Sequence, residues 1–298
     1  MEQGWLRAKD LFWAAYLGPG RWTTHLAPAW LLRQGGRWLS PIGLALSGPA
    51  RRRFPQELVR YPALKNVPGG VERLFRAHVA NAFQRSLDDL LMERYPIDDV
   101  LLNSEVKGQE HLEAARALGK GVLLCSGHFF ANRLGKRFLR ARGWPIMSVR
   151  NTSFRDPNIG KLAGQFLQER YYRFLNRVIE DEITTDDPEC ALKILARLRT
   201  GGIVDIHFDP PTPAKDHIFD FLGARMPFPI GFLDVARTAQ CPIVPMLCLG
   251  NSRGLTIEFS PPVQPRSAPR EEVLGLAVRA IEGQVLAHPE EWEHTVRL

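Results

Sequence analysis

From residue 121 onward the chain alternates short apolar runs with helix-length segments, and this alternation constrains its fold more than any other feature. The runs GVLLC (121–125), PIMSV (145–149), RVI (177–179), GIVDI (202–206) and PIVPMLCL (242–249) have the length of strands. Helical spacing of apolar residues falls at roughly 108–118, 130–142, 157–176, 187–199 and 229–239. A last strand, GLTIEF, precedes a helix at 269–287. Such alternation predicts an α/β fold, a mostly parallel mixed sheet flanked by helices. Ligands on these sheets gather beyond the carboxyl ends of the strands.

The 298 residues suit one large domain, or one domain with a helical extension. Residues 70–94 form an uninterrupted helical pattern. The first 50 residues differ: they hold Trp5, Trp13, Trp22, Trp30 and Trp38, five of the seven tryptophans. Two helical segments are expected there, broken at Gly18–Gly20 and at Gly35–Gly36. The chain therefore divides into an amphipathic, Trp-rich helical arm (1–50) and an α/β domain (51–298). Tryptophan favours membrane interfaces, and a helix of Trp, Leu and Arg can lie among headgroups, so the arm is expected to touch a membrane surface. The other reading packs these tryptophans into the core.

The net charge of +7, concentrated in ARRRF (50–54) and KRFLRARGW (136–144), points to an anionic partner. No nucleic-acid motif accompanies it, and no nucleic acid is expected. The four cysteines have neither zinc nor CxxC spacing, and Cys125 and Cys248 read as core residues, a pattern typical of the cytoplasm. Arg7 and Asp10 interrupt the first apolar stretch, so no signal peptide is expected. No run of 18 apolar residues predicts a transmembrane helix.

The chemistry centres on LLCSGHFFANRLG. Gly127 lets the chain turn out of its strand, which places His128 just before a helix. A helix N-terminus disfavours imidazolium, so a neutral imidazole, the form a general base needs, is expected there.

Residues 105–135 and the blocks after them resemble the lysophospholipid acyltransferase superfamily, in particular its lipid A biosynthesis branch. His128, Phe129 and Leu134 match the family's first block, and Arg150, in IMSVRNTSFRDPNIGKL, matches an arginine of the second. Asp209, Phe221-Leu222-Gly223, Pro229-Ile230-Gly231 and CPIVP match the third, and LTIEFSPPV resembles the closing strand. The resemblance implies a histidine that takes a proton from an acceptor hydroxyl as it attacks a thioester of acyl carrier protein or coenzyme A. A motif acid orients that histidine. No metal or redox cofactor is implied. Arginines and glycines of the later blocks (Arg150, Gly223, Arg225), with Asn132 and Arg133, would line the substrate side.

One letter departs from the pattern. The family acid should stand at position 133, and this chain has Arg133. A guanidinium beside the imidazole would disfavour its protonation. Three accounts are open. Another carboxylate, Asp209, Asp205 or Glu105, replaces the acid in space. Alternatively, the acceptor is an amine that asks less of its base, with Arg133 holding an anionic group. Or the chain is an inactive relative that binds acyl groups or their carrier. The cluster His207, Asp209, Asp216, His217 and Asp220 has no standard metal-ligand spacing, although His207 with Asp209 could assist His128. The expected function is acyl transfer from a carrier-protein or coenzyme A thioester to a small-molecule or lipid acceptor, an amine or a hydroxyl, at the inner face of the cell membrane. His128 and Asp209 are the catalytic candidates.

Overall fold

The computed structural model describes residues 14–94, 104–150, 170, 173–174, 181–209, 217–250 and 254–295. Their strands are β1 (Glu105–Lys107), β2 (Val122–Ser126), β3 (Ile146–Arg150), β4 (Glu182–Thr184), β5 (Ile203–His207), β6 (His217–Phe221), β7 (Ala224–Phe228), β8 (Ile243–Gly250) and β9 (Leu255–Phe259). Seven of them form one sheet in the order β1-β9-β8-β2-β5-β3-β4. Strands β8, β2, β5, β3 and β4 run parallel; β9 is antiparallel to β8, and β1 follows β9. The sheet is thus mixed and mostly parallel, as the alternation predicts. The expected strand at 177–179 and most of the helix at 157–176 lie outside the described residues.

Side chains of a strand alternate between faces, and here both faces are buried. Leu123 and Cys125 of β2 join one apolar cluster, whereas Val122 and Leu124 join the other. Helices α6 (Cys190–Arg199), α7 (Gly231–Ala239) and α8 (Arg270–Ala287) cover the first face with Leu198, Leu233 and Val278. The second is covered by α4 (Gln109–Ala117) and α5 (Asn132–Ala141), through Leu112 and Phe138. Helix α3 (Gly70–Arg94) serves both clusters: Leu74 and Phe75 enter the first, and Leu90 and Leu91 the second. Strands β6 and β7 form a separate hairpin that the sequence reading did not anticipate.

The arm requires a correction. Helix α1 runs unbroken from Ala29 to Leu46 through Gly35–Gly36, where a break was expected. The glycines serve close approach instead. A Cβ on Gly36 would lie 2.6 Å from Gln84 Cβ and 2.7 Å from Gln84 Cα on α3, and one on Gly43 would overlap the Phe83 ring. Arg33 completes the joint by donating to Asp88 at 2.7 Å and to the Gly254 carbonyl at 2.9 Å. The opposite side of this segment is open: Trp22 is 74% exposed, Trp30 61% and Trp38 55%, alongside exposed Leu26 and Ile42. These tryptophans are not core, while Trp5 and Trp13 lie outside the described residues. Among the described residues no helix is long and apolar enough to cross a membrane.

Two glycine substitutions separate helix propensity from packing. Alanine gains up to about 1 kcal/mol over glycine in a helix. At exposed Gly283 in α8 a Cβ meets nothing within 4 Å, so Gly283→Ala should raise the thermal midpoint. At Gly36 the Cβ presses on backbone, and overpacking costs about 1–3 kcal/mol, which exceeds the gain. Gly36→Ala should therefore lower the midpoint in the same melting experiment.

Candidate active site

Two adjacent parallel strands bring the site together. Ser126, at the end of β2, pairs in register with His207, at the end of β5. The chain leaves β2 through Gly127 and reaches His128; it leaves β5 through Phe208 and reaches Asp209. His128 Nδ1 lies 2.6 Å from Asp209 Oδ1. The backbone amide of His128 donates to Asp209 Oδ2 at 3.0 Å, and the Trp292 indole N–H donates to the same oxygen at 2.5 Å. Asp209 has no exposed side-chain surface, whereas the His128 side chain is 37% exposed. The arrangement fixes one ring nitrogen on a buried carboxylate and leaves Nε2 without a hydrogen-bond partner among the described residues.

The electrostatics reverse one expectation. Burial works against the His128 imidazolium, but the Asp209 charge and hydrogen bond, helped by Glu293, outweigh it. The imidazole therefore titrates above its ordinary 6.5 instead of being held neutral by the helix start. Burial would also raise the Asp209 pKa, yet the His128 charge and its two hydrogen bonds, with His294 beyond, hold this carboxyl well below the usual range.

Arg133 is paired with an acid of another helix. Its Nη1 lies 3.1 Å from Asp89 Oδ2, a buried carboxylate of α3. Glu293 is paired at 2.7 Å with Arg85, from the same helix. Position 133 thus faces a band of ion pairs along α3, and the acid beside His128 comes from the turn after β5. Of the other two carboxylates considered, Asp205 serves a different histidine and Glu105 pairs with Lys107 on an edge strand.

Asn132, expected to meet substrate, is buried; its amide donates to the Gly127 carbonyl at 2.6 Å and pins the turn that carries His128. Arg150, at the end of β3, is held 2.9 Å from Glu182. Gly223 has a φ of +79° in the β6–β7 turn, and a Cβ there would press on Pro62 and Ala63, so its place in the turn accounts for it. Arg225 is exposed on β7 opposite Asp220 and bonds to neither His128 nor Asp209. His217 of the suspected acid–histidine cluster lies 3.8 Å from Glu271, and Asp216 is outside the described residues.

The sequence reading overlooked the C-terminal segment and the inward turn of Lys136 within KRFLRAR. Residues 291–293 pair with 128–130: Phe130 N–H donates to the Glu291 carbonyl, and Glu293 N–H to the His128 carbonyl at 2.7 Å. This contact delivers Trp292 to Asp209 and sets His294 4.5 Å, centroid to centroid, from His128. A tryptophan and a histidine in the non-periodic EEWEHT were the available signal. Lys136, counted as part of a basic surface, turns inward to Asp205 at 2.9 Å. His128, Asp209 and His294 offer ligand-type atoms within 4.8 Å of one another. Both Asp209 oxygens are already taken by N–H donors, so a cation there would have to displace the ring bond of His128.

The family model for bacterial lipid A biosynthesis acyltransferases matches residues 90–296, more than half of the chain. Among solved structures the chain is similar to the crystal structure of the 1-acyl-sn-glycerophosphate acyltransferase of Thermotoga maritima, with 13% identity and a TM-score of 0.39 over 87% of this chain and 98% of that one. No curated protein sequence matches.

The geometry can be tested without a substrate. In an NMR titration His128 should protonate above pH 6.5, and Asp209→Asn should move that midpoint below the wild-type value. An unchanged midpoint would mean that Asp209 does not govern the imidazole.

Proposed function

Because the chain belongs to the bacterial lipid A biosynthesis acyltransferase family, we propose that it transfers an acyl group from a carrier-protein or coenzyme A thioester to an amine or hydroxyl acceptor, with His128 as general base and Asp209 as the acid that orients it. The observation that carries this reading is the 2.6 Å contact of His128 Nδ1 with buried Asp209. Nδ1–H donates to the carboxylate, which leaves the Nε2 lone pair open toward the exposed side of the ring. The acceptor O–H or N–H gives its proton to Nε2 as the oxygen or nitrogen attacks the thioester carbonyl. The C–S bond then breaks, its electron pair leaves on sulfur, and the imidazolium returns the proton to the thiolate. Asp209 stays ionised throughout and supports the imidazolium, as the acid of a hydrolase triad does.

The rest of the molecule suits this chemistry. Exposed Arg52 and Arg53 on α2 (Gly48–Glu57) supply positive charge for an acidic carrier or for coenzyme A phosphates. The open face of Trp22, Leu26, Trp30, Trp38 and Ile42 supports peripheral contact with the inner face of the cell membrane, where a lipid acceptor would be met.

His128→Ala should abolish acyl transfer, followed by mass spectrometry with carrier-protein and coenzyme A thioesters over a panel of amines and alcohols. Asp209→Asn should lower kcat by about 10²–10⁴-fold. Wild-type kcat/KM should rise with pH through the elevated His128 pKa, because only the neutral ring accepts the proton. No turnover with any donor, together with unimpaired thioester binding in His128→Ala, would instead assign the chain to the non-catalytic binders. Arg133→Glu restores the family spacing but sets a carboxylate against Asp89 and Glu293; it should lower the melting midpoint without raising kcat/KM. For the arm, Trp22→Ser, Trp30→Ser and Trp38→Ser combined should weaken flotation with anionic liposomes.

A further inference from the structure

Beside the His128–Asp209 pair stands a second histidine with its own buried acid. Asp205 and His207 are two residues apart at the end of β5, so their side chains share one face of the strand, and Asp209 follows two residues beyond it. His207 Nε2 lies 3.0 Å from Asp205 Oδ2. Asp205 is fully buried and fixed by two more donors, Ser126 Oγ at 2.7 Å and Lys136 Nζ at 2.9 Å. The His207 ring stands edge-on to the His128 ring, with centroids 4.6 Å apart and planes at 89°. Its side chain is 20% exposed, so it is not sealed in the core.

The hydrogen bonds define the tautomer. Asp205 remains ionised: burial opposes this, but Lys136 and His207 hold its carboxyl far below the usual range. A carboxylate accepts, so His207 Nε2 carries the proton and Nδ1 carries a lone pair. Burial, assisted by the charges of Lys136 and of a protonated His128, holds down His207 protonation against the pull of Asp205. Nδ1 makes no hydrogen bond among the described residues. Among the described residues, two acceptor nitrogens on neighbouring rings, His128 Nε2 and His207 Nδ1, are thus without a donor.

The charges add a second observation. Asp205, Glu293 and Asp89 each have a fixed cation within 3.1 Å, namely Lys136, Arg85 and Arg133. Among the described residues Asp209 is met by imidazoles, an indole N–H and an amide. With both imidazoles neutral, no described lysine or arginine pairs with the Asp209 charge, which favours a strongly donating acceptor.

We propose that His207 is an acceptor-binding residue and that the two open imidazole nitrogens select a primary amine as the acyl acceptor. This rests on the acyl-transfer reading above and narrows it. The amine nitrogen attacks the thioester carbonyl, one N–H proton passes to His128 Nε2 and on to the departing thiolate, and the C–S bond breaks as the amide C–N bond forms. The second N–H stays on nitrogen and donates to His207 Nδ1. A simple alcohol or a secondary amine has one such hydrogen, and gives it to His128, so His207 is left without a donor. Sites with a polar group left unpaired in this way discriminate strongly.

The test uses the full chain, dodecanoyl-coenzyme A, and the matched acceptors hexylamine, N-methylhexylamine, hexanol and 1,2-hexanediol. Wild type should favour hexylamine over N-methylhexylamine and hexanol by at least about tenfold in kcat/KM. His207→Phe should bring the two amines to near parity, and His207→Gln, whose amide oxygen can accept, should keep part of the preference. Equal use of hexanol and hexylamine by wild type, preferential use of the diol, or an undiminished amine preference in His207→Phe would each overturn the assignment while leaving acyl transfer intact. Absence of transfer to every probe, in an enzyme whose His128→Ala variant binds the thioester unchanged, would overturn the transfer reading and this proposal together. A readout independent of turnover is the ¹⁵N signal of His207 Nδ1. Hexylamine should shift it together with His128 Nε2, and hexanol should shift His128 alone; a His207 signal that ignores hexylamine refutes the contact.

Discussion

The parallel pairing of β2 with β5 is the constraint on which the rest of the site depends. It aligns Ser126 with His207, so the two strands end side by side and their following residues meet. A slip of one residue would turn Asp205 and His207 to the other face and carry Asp209 away from His128. The register is held by apolar side chains on both faces, Leu123 and Val204 toward one cluster and Leu124 and Ile203 toward the other. Packing of the sheet thus positions the charges, and the charges need not hold the sheet.

Carboxylates buried at the end of a sheet are costly unless every one is met by donors. They are met here in three ways. Asp205 has lysine, serine and histidine; Asp209 has an imidazole, an indole and an amide; Asp89 and Glu293 have the guanidiniums of Arg133 and Arg85. The difference gives the two histidines different characters. His128 faces an acid with no lysine or arginine partner among the described residues and is drawn toward protonation, whereas His207 shares its acid with Lys136 and its protonation is held down. Neighbouring groups whose affinities for a proton are pushed apart in this way can divide the proton handling of a reaction between them.

The arm shows the same economy in its packing. Gly36 and Gly43 remove side chains where α1 meets α3, so the backbones approach and the tryptophans are left on the opposite face. In a sequence, paired glycines read as a helix break because of their backbone freedom. Close contact with a neighbouring helix is the competing use, and it prevailed because α3 supplies Gln84 and Phe83 at those two levels.

By itself the sequence determined most strands and helices of the main sheet and singled out His128. Strand and helix periods are local, and the ordered blocks around His128 carry the family. Asp209 was legible as a candidate, but only as one of three carboxylates. The tertiary structure decided among them, since hydrogen bonding requires residues 81 positions apart to come within 2.6 Å, and no local pattern encodes that distance. It also decided what Arg133 is for. The letter marks the loss of an acid, whereas its partner Asp89 is 44 residues earlier and reaches it only because α3 crosses from one core to the other. The C-terminal Trp292 and His294 entered the site for the same reason: a short segment without periodicity pairs with the turn after β2, and it takes its meaning from the sheet on which it lands.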